Sequence, residues 1–308
     1  MIATSTAAGV ARTTLSGRRY DWRGAVFGAL LLLALLTTLA ILATLIADIL
    51  RDGLPVFAER GGDFLTSNMS NAPERSGVWQ GLVGSAIVAV IVALVAFPIG
   101  VATAVYLEEY AGEGRLARLI TLNIRNLAGV PSVVYGLLGL AVFVQALGPL
   151  TGGRSVISGG LTLAVLVLPI VIITSAEAIR AVPWSIREGG YGVGASRWQV
   201  VRDLVLPSSA PGILTGTVLS LARALGETAP LILVGAAFGY FSTGRADFVQ
   251  QLFSSFTALP MIIFGWARLP QQSEWAPMTA AAILVLLVVT LGINGLAIHL
   301  RNRFEPSW

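Results

Sequence analysis

The sequence predicts an all-α polytopic membrane protein with six transmembrane helices, and three observations lead there. Mean hydropathy is +0.80 over 308 residues, with 55% hydrophobic and 12% charged side chains. A soluble globular chain of this length does not have that composition. Six charge-free stretches are each long enough to cross a hydrocarbon core that needs about 20 residues. They are Gly24–Ala47, Val78–Leu107, Asn126–Gly153, Ser155–Ala176, Leu204–Ala222 and Trp275–Leu300. All 20 basic residues are arginine, and with the N-terminus inside most of them fall in segments on that same side. That asymmetry predicts both termini in the cytoplasm.

Taken in order, residues 1–20 are small, polar and free of apolar periodicity, which predicts a disordered cytoplasmic tail. The six-helix domain covers 21–303. Its first stretch is too long for a signal-peptide core and lacks a small-x-small cleavage site after it, so it stays as an anchor. Turn-forming Gly, Pro, Asn and Ser between Arg51 and Gly77 predict an exterior loop. The fifth helix is expected to continue past Arg223 and Glu227 to about Phe238. Phe248–Ala267 carries Gln250, Gln251, Ser254, Ser255, Thr257 and Pro260, and a crossing there would move Arg301 and Arg303 outside. It reads as an interfacial or re-entrant piece. Residues 304–308 form a second cytoplasmic tail. Several glycines inside the apolar runs, among them Gly136, Gly139, Gly159, Gly160, Gly292 and Gly295, predict close helix packing.

The composition also excludes classes. There is no cysteine and one histidine, His299, so thiol catalysis and a histidine metal cluster within the chain are ruled out. No G-x-x-x-x-G-K-[ST], H-E-x-x-H or G-x-S-x-G pattern occurs. The chain is therefore not an enzyme, binds no cofactor of its own, and cannot hydrolyse ATP. The net charge of +4 resides in short loops beside spans, where it sets topology and meets anionic lipid rather than nucleic acid.

Two constellations carry chemistry. One is the loop at about 185–207, with Arg187-Glu188-Gly189-Gly190, then Gly194-Ala195, then Leu204-Val-Leu206-Pro207. Its E-G-G, Gly, L-x-L-P spacing resembles the E-A-A loop of ABC importer membrane subunits, the place where such a subunit meets its ATPase. Gly189 and Gly190 stand where that pattern has Ala-Ala, at about 0.8–1 kcal/mol each in a helix interior. A short helix broken at Gly192 and Gly194 is expected. Trp198 would anchor one face, Arg187, Glu188 and Arg197 would pair across an interface, and Leu206-Pro207 would end the element and start the next span.

The other constellation is Arg223-Ala-Leu-Gly-Glu227-Thr228-Ala-Pro230. From Pro207 to Arg223 is about 24 Å of helix, well inside the membrane. An arginine there costs roughly 2.5–3.5 kcal/mol on insertion scales and should face protein or water rather than lipid. Glu227, one turn on, can neutralise it, and the guanidinium fork fits phosphate or carboxylate oxygens. Pro230 is expected to bend the helix. Two readings stay open: a structural ion pair, or an anion path in which Arg223 leaves Glu227 to meet the substrate.

With Arg223–Pro230 goes Asn123-Ile-Arg125-Asn126-Leu-Ala-Gly-Val-Pro131-Ser132-Val-Val-Tyr-Gly136, entering the third span. Together these motifs resemble the permease subunits of the phosphate-specific ABC importer. Ser255-Phe-Thr-Ala-Leu-Pro260 is similar to the PstA rather than the PstC branch. The resemblance covers roughly residues 20–303. It implies a type I ABC importer permease fold, a bacterial plasma (inner) membrane location and phosphate passage at Arg223, Glu227 and Thr228. It also implies three partners: a PstC-like second permease, a PstB-like ATPase dimer that holds ATP and Mg, and an external PstS-like phosphate-binding protein. A permease for sulfate or molybdate would keep the docking loop but lack the two motifs. An ion-coupled secondary carrier using Glu227 as a proton site would need no ATPase.

Overall fold

The computed structural model describes residues 21–112, 114–236 and 248–304, and all regular structure among them is helical. The two terminal tails predicted at 1–20 and 304–308 lie outside the described residues except for Phe304, as does Phe238. The chain divides into two compact units, Met1–Asp48 and Ile49–Trp308.

Helix α1 is Trp22–Arg60. Its part in the first unit, from Trp22 to Asp48, has every side chain exposed, as suits an apolar helix in lipid. The helix runs some nine residues further than the Arg51 boundary suggests, because Pro55 is its only breaker there. The connection between α1 and the next long helix is consequently shorter than expected, with single turns at Asp63–Thr66 and Pro73–Arg75.

In the second unit, α2 is Trp79–Tyr110, α5 is Val156–Arg180, α7 is Arg197–Gly226 and α10 is Gln272–Phe304. With α1, these are the five helices among the described residues that are long and apolar enough to cross a membrane. A bent pair, α3 (Arg115–Ala128) and α4 (Ser132–Ala146), is long and apolar enough for a sixth crossing only when taken together, and its two helices meet at 102°. The third predicted span is therefore displaced, since Asn126–Ala128 belong to α3. Gly129 caps that helix, and Pro131 (φ −55°, ψ 138°) holds the chain extended before α4. The Tyr135 hydroxyl donates to the Leu127 carbonyl at 2.8 Å and fastens the bend.

Two apolar cores bear on function. One joins Val88, Val92 and Ala96 of α2, Tyr135 of α4, Leu163 and Val167 of α5 and Ala224 of α7. The other joins Ala104, Ile179, Val182, Val200, Val205 and Ile213 at the opposite end of α2, α5 and α7. Residues 256–262 and Trp266 are buried, and the helix there, α9, Leu259–Trp266, has eight residues, too few to cross. Ser85 of α2 accepts from the Leu259 N–H at 2.9 Å and caps it. The segment expected to be interfacial or re-entrant is not among the helices long and apolar enough to cross. Gly136, Gly139, Gly159 and Gly160 sit in tight helix contacts, but Gly292 and Gly295 have open space around them.

Candidate functional site

The loop expected to dock an ATPase is a helix, a left-handed glycine and a second helix. Helix α6, Trp184–Gly192, begins after Pro183. It closes with Gly194 N–H donating to Tyr191 O at 3.0 Å and Ala195 N–H to Gly190 O at 3.1 Å. Gly194 has φ +82°, a conformation that other residues adopt only under strain. Ser196 then starts α7 with a capping box: its hydroxyl accepts from the Gln199 N–H, and the Gln199 side chain accepts from the Ser196 N–H at 2.8 Å.

The sequence pattern does not separate inward from outward residues in this loop. Glu188, Gly189, Gly194 and Pro207 are exposed, whereas Ala195 and Leu206 are half-buried. Arg187 and Gly190 are buried. Arg187 therefore does not pair across an interface; its side chain turns inward to Glu109. A Cβ on Gly190 would come within 2.8 Å of Leu204 Cδ1 and 2.9 Å of Val200 Cγ2, so an alanine there would make those two side chains shift. A Cβ on Gly189 would meet nothing, and no contact accounts for that glycine. Arg197 lies 5.0 Å over the Tyr110 ring. Trp198 anchors no face of the fold: it is exposed with Trp184, Tyr191 and Val193, an apolar group of the kind that binding surfaces bury. Pro207 does not end the element either. A π turn at Val201–Val205 precedes it, and this widened turn accommodates the proline ring inside a continuous α7.

Arg223 lies in the last turn of α7, its Nε 3.7 Å from Glu227 Oε1, with the two side chains 60% and 19% exposed. It lines a cavity of about 350 Å³ with Thr174 and Ser220. Sequence reasoning passed over both hydroxyls. Ser220 could have been found, three residues before Arg223 on one helix face; Thr174 comes from α5, and no local signal points to it.

The fifth helix does not continue to Phe238. It stops at Gly226, with Glu227 extended (ψ 122°) and Thr228, half-buried, preceding α8, Ala229–Leu233. A helix continued through this stretch would set Pro230 against the Gly226 carbonyl, and the break removes that clash, although Pro55, Pro98, Pro169, Pro211 and Pro277 each lie inside a continuous helix. Pro230 instead sits in the first turn of α8.

The residues of the other motif divide at the bend. Arg125 and Asn126 are exposed near the end of α3, while Pro131 and Ser132 begin α4. What comes together is Gly136 and Pro230: a Cβ on Gly136 would lie 2.8 Å from Pro230 Cα. The two motifs, nearly a hundred residues apart in sequence, are thus in direct contact.

Residues 96–305 match the family described as binding-protein-dependent transport system inner membrane component. The chain is 34% identical over 232 residues to phosphate transport system permease protein PstA 1 of Mycobacterium tuberculosis (strain ATCC 25618 / H37Rv), covering 75% of this chain and 72% of that protein. It is 30% identical over 247 residues to the PstA permease of Xylella fastidiosa (strain Temecula1 / ATCC 700964), covering 80% and 82%. In fold it is similar to a chain of a bacterial alginate ABC transporter, with a TM-score of 0.64, 17% identity and coverage of 92% and 96%. A chain of the inward-facing MetNI methionine ABC transporter gives 0.57, 16%, 75% and 95%.

Proposed function

The chain belongs to the binding-protein-dependent transport inner membrane components, and on that premise we propose that it imports inorganic phosphate as half of a transmembrane pathway. It is the permease subunit of an ABC importer and not an enzyme. Such a permease works with a second permease, an ATPase and a binding protein. The substrate assignment rests on one observation, the two phosphate permeases matched across more than two thirds of their lengths.

The specific partners are a PstC-like permease, a PstB-like ATPase dimer and a PstS-like binding protein, in a bacterial plasma membrane with both termini cytoplasmic. ATP and Mg stay on the ATPase. The exposed face of α6, with Glu188, Trp184, Tyr191 and Val193, is the surface the ATPase grips. Arg223, Glu227 and Thr228 lie on the anion path. Irregular backbone at membrane depth is tolerated where it faces protein or a polar cavity, which supports a path beside the break at Glu227. Arg223 is held only loosely by Glu227, and its planar donors can leave that carboxylate for phosphate oxygens. A pair that re-forms behind the ion favours release over retention.

The test is reconstitution. The purified chain should bring down an ATPase and a second permease, and vesicles holding the complex should take up phosphate only with ATP inside and binding protein outside. Sulfate or molybdate uptake in place of phosphate would reassign the substrate. Uptake without ATP would remove the ABC mechanism.

A further inference from the structure

Neither the docking face nor the anion path uses the buried pair Arg187–Glu109. Their side chains are 6% and 5% exposed. Arg187 Nε and Nη2 donate to Glu109 Oε1 at 3.1 and 2.7 Å. Its other bonds run to main-chain oxygens, Nη1 to Val182 O at 2.7 Å and Nη2 to Ile179 O at 3.0 Å. Glu109 belongs to the π turn Tyr106–Tyr110 that ends α2. Ile179 is in the last turn of α5, whose free carbonyls an arginine satisfies well. One guanidinium thus joins α6 to the ends of two spans.

Stability does not account for this arrangement. A buried ion pair is typically no more stabilising than packed apolar side chains of similar size, though breaking one partner is strongly unfavourable. What a fully bonded guanidinium adds is a fixed geometry. The peptide link from α5 to α6 is only Ala181–Pro183, a joint that would let α6 swing. The neighbouring Glu108–Arg180 pair also ties α2 to α5, but Arg180 is largely exposed and does not reach α6.

We infer that Arg187–Glu109 is the positioning link that makes α6 move as one body with the end of α2, so that motion of the docked ATPase reaches the membrane helices. This rests on the docking reading of α6 and goes beyond it by naming how the motion leaves the loop.

The experiment compares phosphate transported per ATP hydrolysed by the intact complex in vesicles. Arg187→Met with Glu109→Met removes both charges and keeps the volume filled. The double variant should assemble and hydrolyse ATP, with phosphate moved per ATP lowered several-fold. Arg187→Lys, which keeps the charge pair, should retain more of the ratio. A native ratio in the assembled double variant would overturn the inference. If that variant does not assemble, Arg187→Cys with Glu109→Cys in this cysteine-free chain provides a second test. A cleavable thiol cross-linker between the two should restore coupling, and cleavage should abolish it; equal coupling before and after cleavage would overturn the inference. Failure of the docking reading itself is distinguishable, because the unmodified chain would then bind no ATPase.

Discussion

Gly136→Ala tests whether the two motifs act as one unit. A methyl group at Gly136 would lie 2.8 Å from Pro230 Cα, where ordinary contact is 3.4–4 Å. The obstruction is backbone, so rotamer change cannot relieve it, and α4 and α8 must separate by about 0.6 Å or more, the difference from 2.8 to 3.4 Å. Overpacking of this kind costs roughly 1–3 kcal/mol, or about 5- to 150-fold in the folded population. The displacement falls three residues from Glu227, whose distance to Arg223 is already 3.7 Å. The variant should be less heat-stable in the assembled complex, measured by loss of monodispersity after heating, and should take up phosphate more slowly at equal protein. Gly292→Ala is the control: nothing lies within 4 Å, and a mid-helix alanine is favoured by about 0.5–1 kcal/mol. Native stability and native uptake in Gly136→Ala would refute the reasoning, since a contact that matters cannot absorb that shift without effect.

Three other perturbations test separate parts. Gly194→Glu places a side chain at φ +82° on an exposed turn, and it should leave the chain in the membrane while reducing ATPase recovery in pull-down; undiminished recovery would remove this turn from the docking surface. Cysteines at Ser67 and Gln272 should react with an impermeant thiol reagent from outside, whereas those at Ser196 and Asn302 should react only once the membrane is opened; outside labelling at Asn302 would require an odd number of crossings. Arg223→Gln with Glu227→Gln should assemble yet transport poorly, and Arg223→Lys should also be slow because the planar fork is lost. Native transport by that double variant would leave Arg223 a packing residue.

Much of this architecture is legible in one dimension, since a lipid-spanning helix must be apolar along its whole length. The spans at Trp79–Tyr110, Val156–Arg180 and Gln272–Phe304 follow directly from charge-free runs. Hydropathy could not supply the two interruptions, since Gly129–Pro131 and Gly226–Pro230 are as apolar as their surroundings apart from Glu227. Proline by itself does not mark such breaks, since Pro98, Pro169, Pro211 and Pro277 lie inside continuous helices. In the docking loop, spacing finds the element but not the direction of its side chains. Arg187 and Glu188 are adjacent, and a helix turns one inward and the other outward. The partner of Arg187 lies 78 positions away on α2, beyond the reach of any local pattern.

The two candidate sites are ends of one helix. Helix α7 begins at the capped Ser196 beside the docking turn and reaches Arg223 26 residues after Arg197, about 39 Å at ~1.5 Å per residue. Under the proposed function, a displacement at the start of α7 would reach the cavity of Arg223, Thr174 and Ser220 without crossing a loop. The π turn at Val201–Val205 is the irregular stretch on that line, and Val200, Val201 and Val205 are fully buried, so the core holds it in register. On the proposed reading, motion leaving the docking face would have two routes, along α7 to the proposed anion path and through Arg187–Glu109 into α2. If both carry it, α2 and α7, which share two apolar cores with α5, shift against it in one step. That is the kind of rigid-body movement that opens one side of a membrane path while closing the other.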